Sequence, residues 1–188
     1  MENRIIISGF GGQGVLSAGM ILCYGAIISG KYPTFFPSYG AEQRGGTSNC
    51  TVIIDDHEVA SPVTQSPNIV VCFNQPSVIK FERWLEKDGI LLYNSSLVNI
   101  PPKRQDIKIY HIDANSIAFD LGDPRFVNMV MIGGLMALSK LYDFEFLLKG
   151  IEKFFSEKGK TKIVSSNQKA AEFGYNYFIS LTRNNHSK

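Results

Sequence analysis

Apolar positions in this chain follow two rhythms. Short unbroken runs, Ile5-Ile6-Ile7, Ile69-Val70-Val71-Cys72-Phe73 and Ile90-Leu91-Leu92-Tyr93, have the density of strands buried on both faces. Residues 33–36 and 108–112 read as further strands, and residues 47–54 alternate and are rich in β-branched side chains. Longer stretches with helical spacing lie between and after them. An uncharged run covers residues 15–28, with Gly30 as its stop. Asn74 can cap a helix that runs to Lys87, with Pro76 in its first turn and Val78, Ile79, Phe81, Trp84 and Leu85 near one face. Asp113 can cap a helix over 114–121, and Asp143 caps one over 144–155. Residues 127–142 and 161–181 complete the helical part. Gly133-Gly134 falls inside one of these helices, where glycine is costly, so another backbone should pack closely there. Asp55-Asp56 reads as a turn, with residues 57–60 as a short returning strand in a local antiparallel hairpin.

Strands that alternate with helices and then give way to helices specify an α/β fold. It has a mostly parallel sheet flanked by helices, a Rossmann-like start and a helical C-terminal part. At 188 residues the chain is read as a single domain, 1–188. Open parallel sheets meet ligands at the carboxyl ends of their strands. Two glycine-rich loops follow strands here, at residues 9–14 and 37–46, so the edge they share is the expected working surface.

The first loop, Gly9-Phe10-Gly11-Gly12-Gln13-Gly14, carries the G-x-G-x-x-G spacing. Its glycines permit a tight turn, a close backbone approach and helix-on-strand packing, and the helix start offers N–H groups to an anion. Packing alone and an anion- or nucleotide-contacting role both fit that spacing. A nicotinamide cofactor fits badly, because the second strand ends in Pro37-Ser38-Tyr39-Gly40 and not in an acid for the ribose. In the second loop Arg44 has a planar fork suited to phosphate or carboxylate, or to an ion pair with Glu42. Tyr39 can stack on an adenine or on a partner residue. Asn74 and Asn94 end strands and either hold the glycine loops or simply cap.

Composition narrows the classes. A net charge of +2 argues against a dedicated nucleic-acid binder. No apolar run reaches the roughly 18 residues of a membrane span, and the start lacks a secretory leader's basic start and cleavage site, so a cytoplasmic location is expected. Cys23, Cys50 and Cys72 form no CxxC pair and are read as buried, inert thiols; His57, His111 and His186 show no metal-ligand spacing. No catalytic residue and no metal site is assigned. A 12% aromatic content suits a well-filled core or a surface covered by a partner.

Four separated segments carry a family likeness: Gly9-Phe-Gly-Gly-Gln-Gly14, Pro37-Ser-Tyr-Gly-Ala-Glu-Gln-Arg-Gly-Gly-Thr-Ser-Asn-Cys50, Asn74-Gln-Pro76 and Asn94-Ser-Ser96. In this order they resemble the gamma subunit of the 2-oxoacid:ferredoxin oxidoreductases, with the second segment closer to the 2-oxoglutarate and branched-chain types than to the pyruvate type. The resemblance implies a multi-subunit enzyme that oxidatively decarboxylates a 2-oxoacid, 2-oxoglutarate first, with coenzyme A (CoA). The products are acyl-CoA, carbon dioxide and reduced ferredoxin. It implies alpha, beta and delta partner subunits, the beta holding thiamine diphosphate and the delta ferredoxin-like, with ferredoxin as acceptor. Thiamine diphosphate, iron–sulfur clusters and most of the CoA contacts would lie in the partners, and the isolated chain would be inactive or a homo-oligomer. Gly9, Gly11, Gly12, Gln13, Gly14, Tyr39 and Arg44 are then the candidate CoA, anion or partner contacts. The alternative is a free-standing nucleotide- or CoA-binding module.

Overall fold

The computed structural model describes residues 2–39 and 47–185. They form β1 (Asn3–Phe10), α1 (Val15–Ile28), β2 (Tyr32–Tyr39), β3 (Thr47–Asp55), β4 (Ile69–Cys72), α2 (Gln75–Phe81), β5 (Ile90–Asn94), β6 (Lys108–Ile112), α3 (Ala114–Asp120), α4 (Val127–Ser139), α5 (Phe144–Glu157) and α6 (Val164–Asn185). One sheet takes all six strands in the order β2-β3-β1-β4-β5-β6. β1, β4, β5 and β6 pair parallel, whereas β3 is antiparallel to both β1 and β2. β2 therefore runs in the direction of β1, and β3 alone opposes the rest.

This order separates the chain from a plain dinucleotide fold. The opening β1–turn–α1 is Rossmann-like, but β3 occupies the place beside β1. Ser48 pairs with Gly9 on one side and Tyr39 on the other. The carboxyl end of β2 is thus two strand spacings from that of β1, roughly 9–10 Å. The antiparallel hairpin exists, but β2 is its other member. Residues 57–60 form no strand, and the register explains why: β1 fills one edge of β3 and β2 fills the other along the whole strand. β2 tolerates Pro33 and Pro37 because it is the outer strand, where a missing N–H breaks no second ladder.

The two sheet faces are covered unequally. Ile5, Ile7, Cys50, Val52, Val71 and Leu92 join the larger core, with side chains of α1, α3, α4, α5 and α6. Ile6, Val70, Cys72, Leu91 and Tyr93 point the other way, onto Val78, Phe81, Leu85 and Val98. So α1 lies on one face and α2 on the opposite face. Glycines set the helix crossings within the larger core. A Cβ on Gly133 would stand 2.0 Å from the Ala171 carbonyl oxygen, and one on Gly174 equally close to that of Val130. The expected close approach at Gly133-Gly134 is therefore α4 against α6. Gly150 does the same for α5 against α1, where a Cβ would stand 2.7 Å from the Gly25 nitrogen and 2.9 Å from the Ile21 carbonyl oxygen, whereas one on Gly25 would strike the Tyr142 ring.

Two helices stop short of the sequence pattern, and one expected cap is missing. α2 stops at Phe81 and continues only as a 3-10 turn, Glu82–Trp84. The reason is tertiary: the Arg104 guanidinium takes the carbonyls of Glu82 and Leu85, and the Glu82 carboxylate accepts the N–H groups of Lys103 and Arg104. Ile79, expected on the buried face, is 66% exposed. α4 ends at Ser139 because Lys140 turns left-handed (φ 51°), which sends Leu141 and Tyr142 back into the core. Asp143 begins α5 without a side-chain cap bond.

Candidate functional site

The turn after β1 is built from three glycines with three different reasons. A Cβ on Gly9 would strike Gln13 Oε1, Phe73 and Val15, so Gly9 is a packing glycine. Gly12 has φ +93° with open space where a side chain would go, so it is glycine for its backbone conformation. Gly14 has φ +76° and is also pressed by the Asn128 side chain, whose Nδ2 donates to the Gly14 carbonyl at 3.3 Å. Gly11 is exposed. Gln13 closes the turn in both directions. Its backbone N–H donates to the Phe10 carbonyl at 3.2 Å, and its Oε1 accepts from the Phe10 N–H at 2.6 Å.

Asn74, at the end of β4, reaches this turn. Its Nδ2 donates to Gln13 Oε1 at 3.3 Å, while its Oδ1 accepts from the Ser77 N–H (3.0 Å) and the Ser77 hydroxyl (2.7 Å). Ser77 in turn lies 2.9 Å from the Ser8 hydroxyl of β1. Ser8, Asn74 and Ser77 are fully buried or nearly so. Asn74 thus both caps α2 and holds the glycine loop. Asn94 does something else: its Oδ1 accepts from the N–H groups of Ser96 and Ala114, tying β5 to the start of α3. Because α1 and α2 leave adjacent parallel strands toward opposite faces, the gap between β1 and β4 is the topological switch point of the sheet, the usual ligand crevice in such folds.

A cavity of about 640 Å3 opens beside the turn. Gly12, Gln13, Gly14 and Ser17 form one wall, the approach to α4 (Asp123 to Asn128) a second, and Lys160, Ile163, Ser166 and Asn167 a third. That volume falls within the roughly 300–1,000 Å3 of small-molecule sites. α1 begins here without a side-chain cap and without an acid in its first turn, so its first N–H groups keep their partial positive charge, whereas α4 continues a 3-10 turn, Pro124–Phe126, whose start the Asp123 carboxylate caps by accepting the Arg125 N–H. Asp123 is the acid of the lining, and the Arg125 guanidinium beside it holds its carboxyl below the usual carboxylate range. Arg125 itself is 85% exposed, and Lys160 is exposed too. Such a lining supplies donors and cations and suits an oxygen-rich, anionic ligand.

Of the residues singled out in the sequence, Gly12, Gln13 and Gly14 line this cavity, and Gly9 lies beneath Gln13. Tyr39 ends β2 on the same edge; its side chain, Glu42 and Arg44 lie outside the described residues. The second and third walls are built from residues that the sequence pattern does not single out. Asn128 and Asn167, both over nine-tenths buried, look in sequence like ordinary helix polar residues. The break at Gly122-Asp123-Pro124 just before a helix was the available signal. The cysteines are buried and apart from the cavity, and His111 lies exposed against the Tyr93 ring. Among the described residues no His, Cys, Asp and Glu cluster could hold a metal ion, and no helix is long and apolar enough to cross a membrane.

Known proteins carry a similar sequence and fold. The chain is 40% identical over 174 residues to the ketoisovalerate oxidoreductase subunit VorA of Methanothermobacter marburgensis, covering 92% of this chain and 36% of that one. It therefore spans about a third of the length of that curated relative. It is 34% identical to the 2-oxoglutarate synthase subunit KorC of Methanocaldococcus jannaschii over 80% of this chain and 82% of the relative. The crystal structure of the gamma subunit of a keto/oxoacid ferredoxin oxidoreductase from Geobacter sulfurreducens superposes with a TM-score of 0.79 at 28% identity, covering 95% of this chain and 99% of that one. The resemblance seen in the glycine turn and its companion segments thus extends through the whole fold. Residues 4–177 match the pyruvate ferredoxin/flavodoxin oxidoreductase family, and the chain belongs to it.

Proposed function

We propose that this chain is the gamma-type subunit of a 2-oxoacid:ferredoxin oxidoreductase and forms part of the wall that receives CoA. The observation that carries the reading is the donor-lined cavity beside the glycine turn, in a chain of which 95% superposes on a gamma subunit. The residues fit such a ligand. The open side of Gly12 admits close approach, the uncapped start of α1 and the exposed Arg125 and Lys160 favour phosphate, and the cavity has the volume for part of a nucleotide. CoA, when bound, would supply the thiol that accepts the acyl group. The residues of this chain bind and orient it.

In this reading the alpha, beta and delta subunits bring the thiamine diphosphate, the iron–sulfur clusters and the docking of ferredoxin. The buried, scattered cysteines of this chain do not suit a cluster. The 2-oxoacid is 2-oxoglutarate or a branched-chain oxoacid, which accords with the names of the relatives at 34% and 40% identity; pyruvate is the competing substrate.

The test is capture of the complex from its own cells through a tag on this chain, followed by native mass spectrometry. Partners carrying thiamine diphosphate and iron–sulfur clusters are expected. Activity on 2-oxoglutarate or 2-oxoisovalerate should exceed that on pyruvate. A photoreactive CoA analogue should label this chain at the walls of the cavity, and labelling confined to other subunits overturns the CoA role. Recovery of the chain alone would leave the free-standing nucleotide- or CoA-binding module.

A further inference from the structure

The hydrogen bonds under the glycine turn run in one direction, and two backbone groups dictate it. A backbone N–H can only donate. Phe10 N–H donates to the Gln13 side chain, so the atom it meets is the carbonyl Oε1 and the amide nitrogen lies on the other side. Likewise the Ser77 N–H requires Oδ1 of Asn74 at the α2 cap, which turns Asn74 Nδ2 toward Gln13. Ser77 spends its one hydroxyl proton on Asn74 Oδ1, so Ser8 must donate to Ser77. The chain then reads Ser8 to Ser77 to Asn74 to Gln13, with every bond pointing the same way. Its end is Gln13 Nε2, which has no partner among the described residues and belongs to a side chain lining the 640 Å3 cavity.

We propose that this buried relay locks Gln13 as a donor-only specificity residue, so that the cavity accepts a ligand oxygen at Nε2 and rejects a donor there. Ser8, Ser77 and Asn74 are positioning residues that act through Gln13. An unrestrained glutamine can rotate its amide and offer either face; here rotation would set Nε2 against the Phe10 N–H and Asn74 Nδ2, donors against donor. Because all of the relay except Gln13 is buried, water cannot compensate for that mismatch. The bonds arise from β1, β4 and α2, so the polarity of the site is set by the junction of the two sheet faces and not by the glycine loop alone. The inference rests on the CoA reading above and names the chemistry that reading requires at one atom: a phosphate oxygen or an amide carbonyl of the ligand.

The experiment uses the assembled complex, with CoA and pantetheine as probes, affinity from calorimetry, and kcat and KM from turnover. Gln13→Glu keeps an acceptor for Phe10 and Asn74 and replaces the outward N–H groups with a carboxylate oxygen. It should weaken CoA binding roughly tenfold or more, raising KM far more than it lowers kcat. Asn74→Asp keeps the acceptor that caps α2 but removes the donor to Gln13. It should weaken CoA severalfold, and Asn74→Ala, which also loses the cap, should lower stability in addition. Loss for CoA alone assigns the acceptor to a phosphate, and equal loss for pantetheine assigns it to an amide carbonyl. Wild-type affinity in Gln13→Glu, or in Asn74→Asp where the first variant does not assemble, overturns the relay. Photolabelling of this chain together with that unchanged affinity would leave the CoA reading standing without it; labelling confined to other subunits removes both.

Discussion

At the scale of single residues, burial decides what the polar and sulfur groups can do. Desolvation pushes the Cys23 thiol up to about 12, and the Cys50 and Cys72 thiols higher still. A thiol whose pKa is raised stays protonated below that value, so none is a thiolate at neutral pH. Ellman's reagent at pH 8 should therefore titrate no thiol in the folded chain and all three after unfolding in guanidinium. Fast reaction of even one in the native state would contradict the burial described. The sequence already placed these cysteines in apolar runs, so their inertness was legible. The differing reasons for Gly9, Gly12 and Gly14 were not, because a glycine letter carries no record of whether backbone angle or a neighbour demands it.

At the scale of elements, helix contacts through glycine make α4 and α6 one unit. A Cβ at Gly133 meets a backbone carbonyl, which cannot move without displacing α6, whereas one at Gly134 meets the Phe178 ring at 2.9 Å, which can rotate aside. Gly133→Ala should lower unfolding stability by about 3 kcal/mol or more and Gly134→Ala by about 1 kcal/mol, read from denaturant midpoints. Equal effects would mean the two helices are not in backbone contact. The glycine pair announced such a contact in the sequence, but not its partner, since Gly174 lies forty residues further along the chain. The end of α2 shows the converse. Its apolar spacing continues to Leu85, and only Arg104, brought in from a distant segment, stops the helix by taking its carbonyls.

For the whole molecule, the sheet order sets which backbone is protected. β1 and β4 have neighbours on both sides and helices on both faces, whereas β2 and β6 are outer strands. Native-state hydrogen exchange should leave the amides of Ile5–Ile7 and Val70–Cys72 exchanging only with global unfolding, and those of β2 and β6 by lower-energy openings. Slow exchange across β2 in the isolated chain would mean that its outer edge is paired. The same order explains the site. Neighbouring β1 and β4 send their helices to opposite faces, and at that divergence Asn74 reaches Gln13, which also lines the cavity on the α1 side.

The sequence by itself determined the element types, the mostly parallel α/β class with its helical C-terminal part, and the glycine turn at the end of the first strand. Its four family segments were also enough to place the chain among the 2-oxoacid:ferredoxin oxidoreductases. All of these are local or linear signals: periodicity, capping residues and fixed spacings. Tertiary structure alone decided that β3 inserts between β1 and β2, that Asn74 reaches across to Gln13, and that Asn128 and Asn167 complete the cavity with the glycine turn. Each depends on contacts between residues far apart in the chain, and a side chain's hydrogen-bond direction is fixed only once its neighbours are in place.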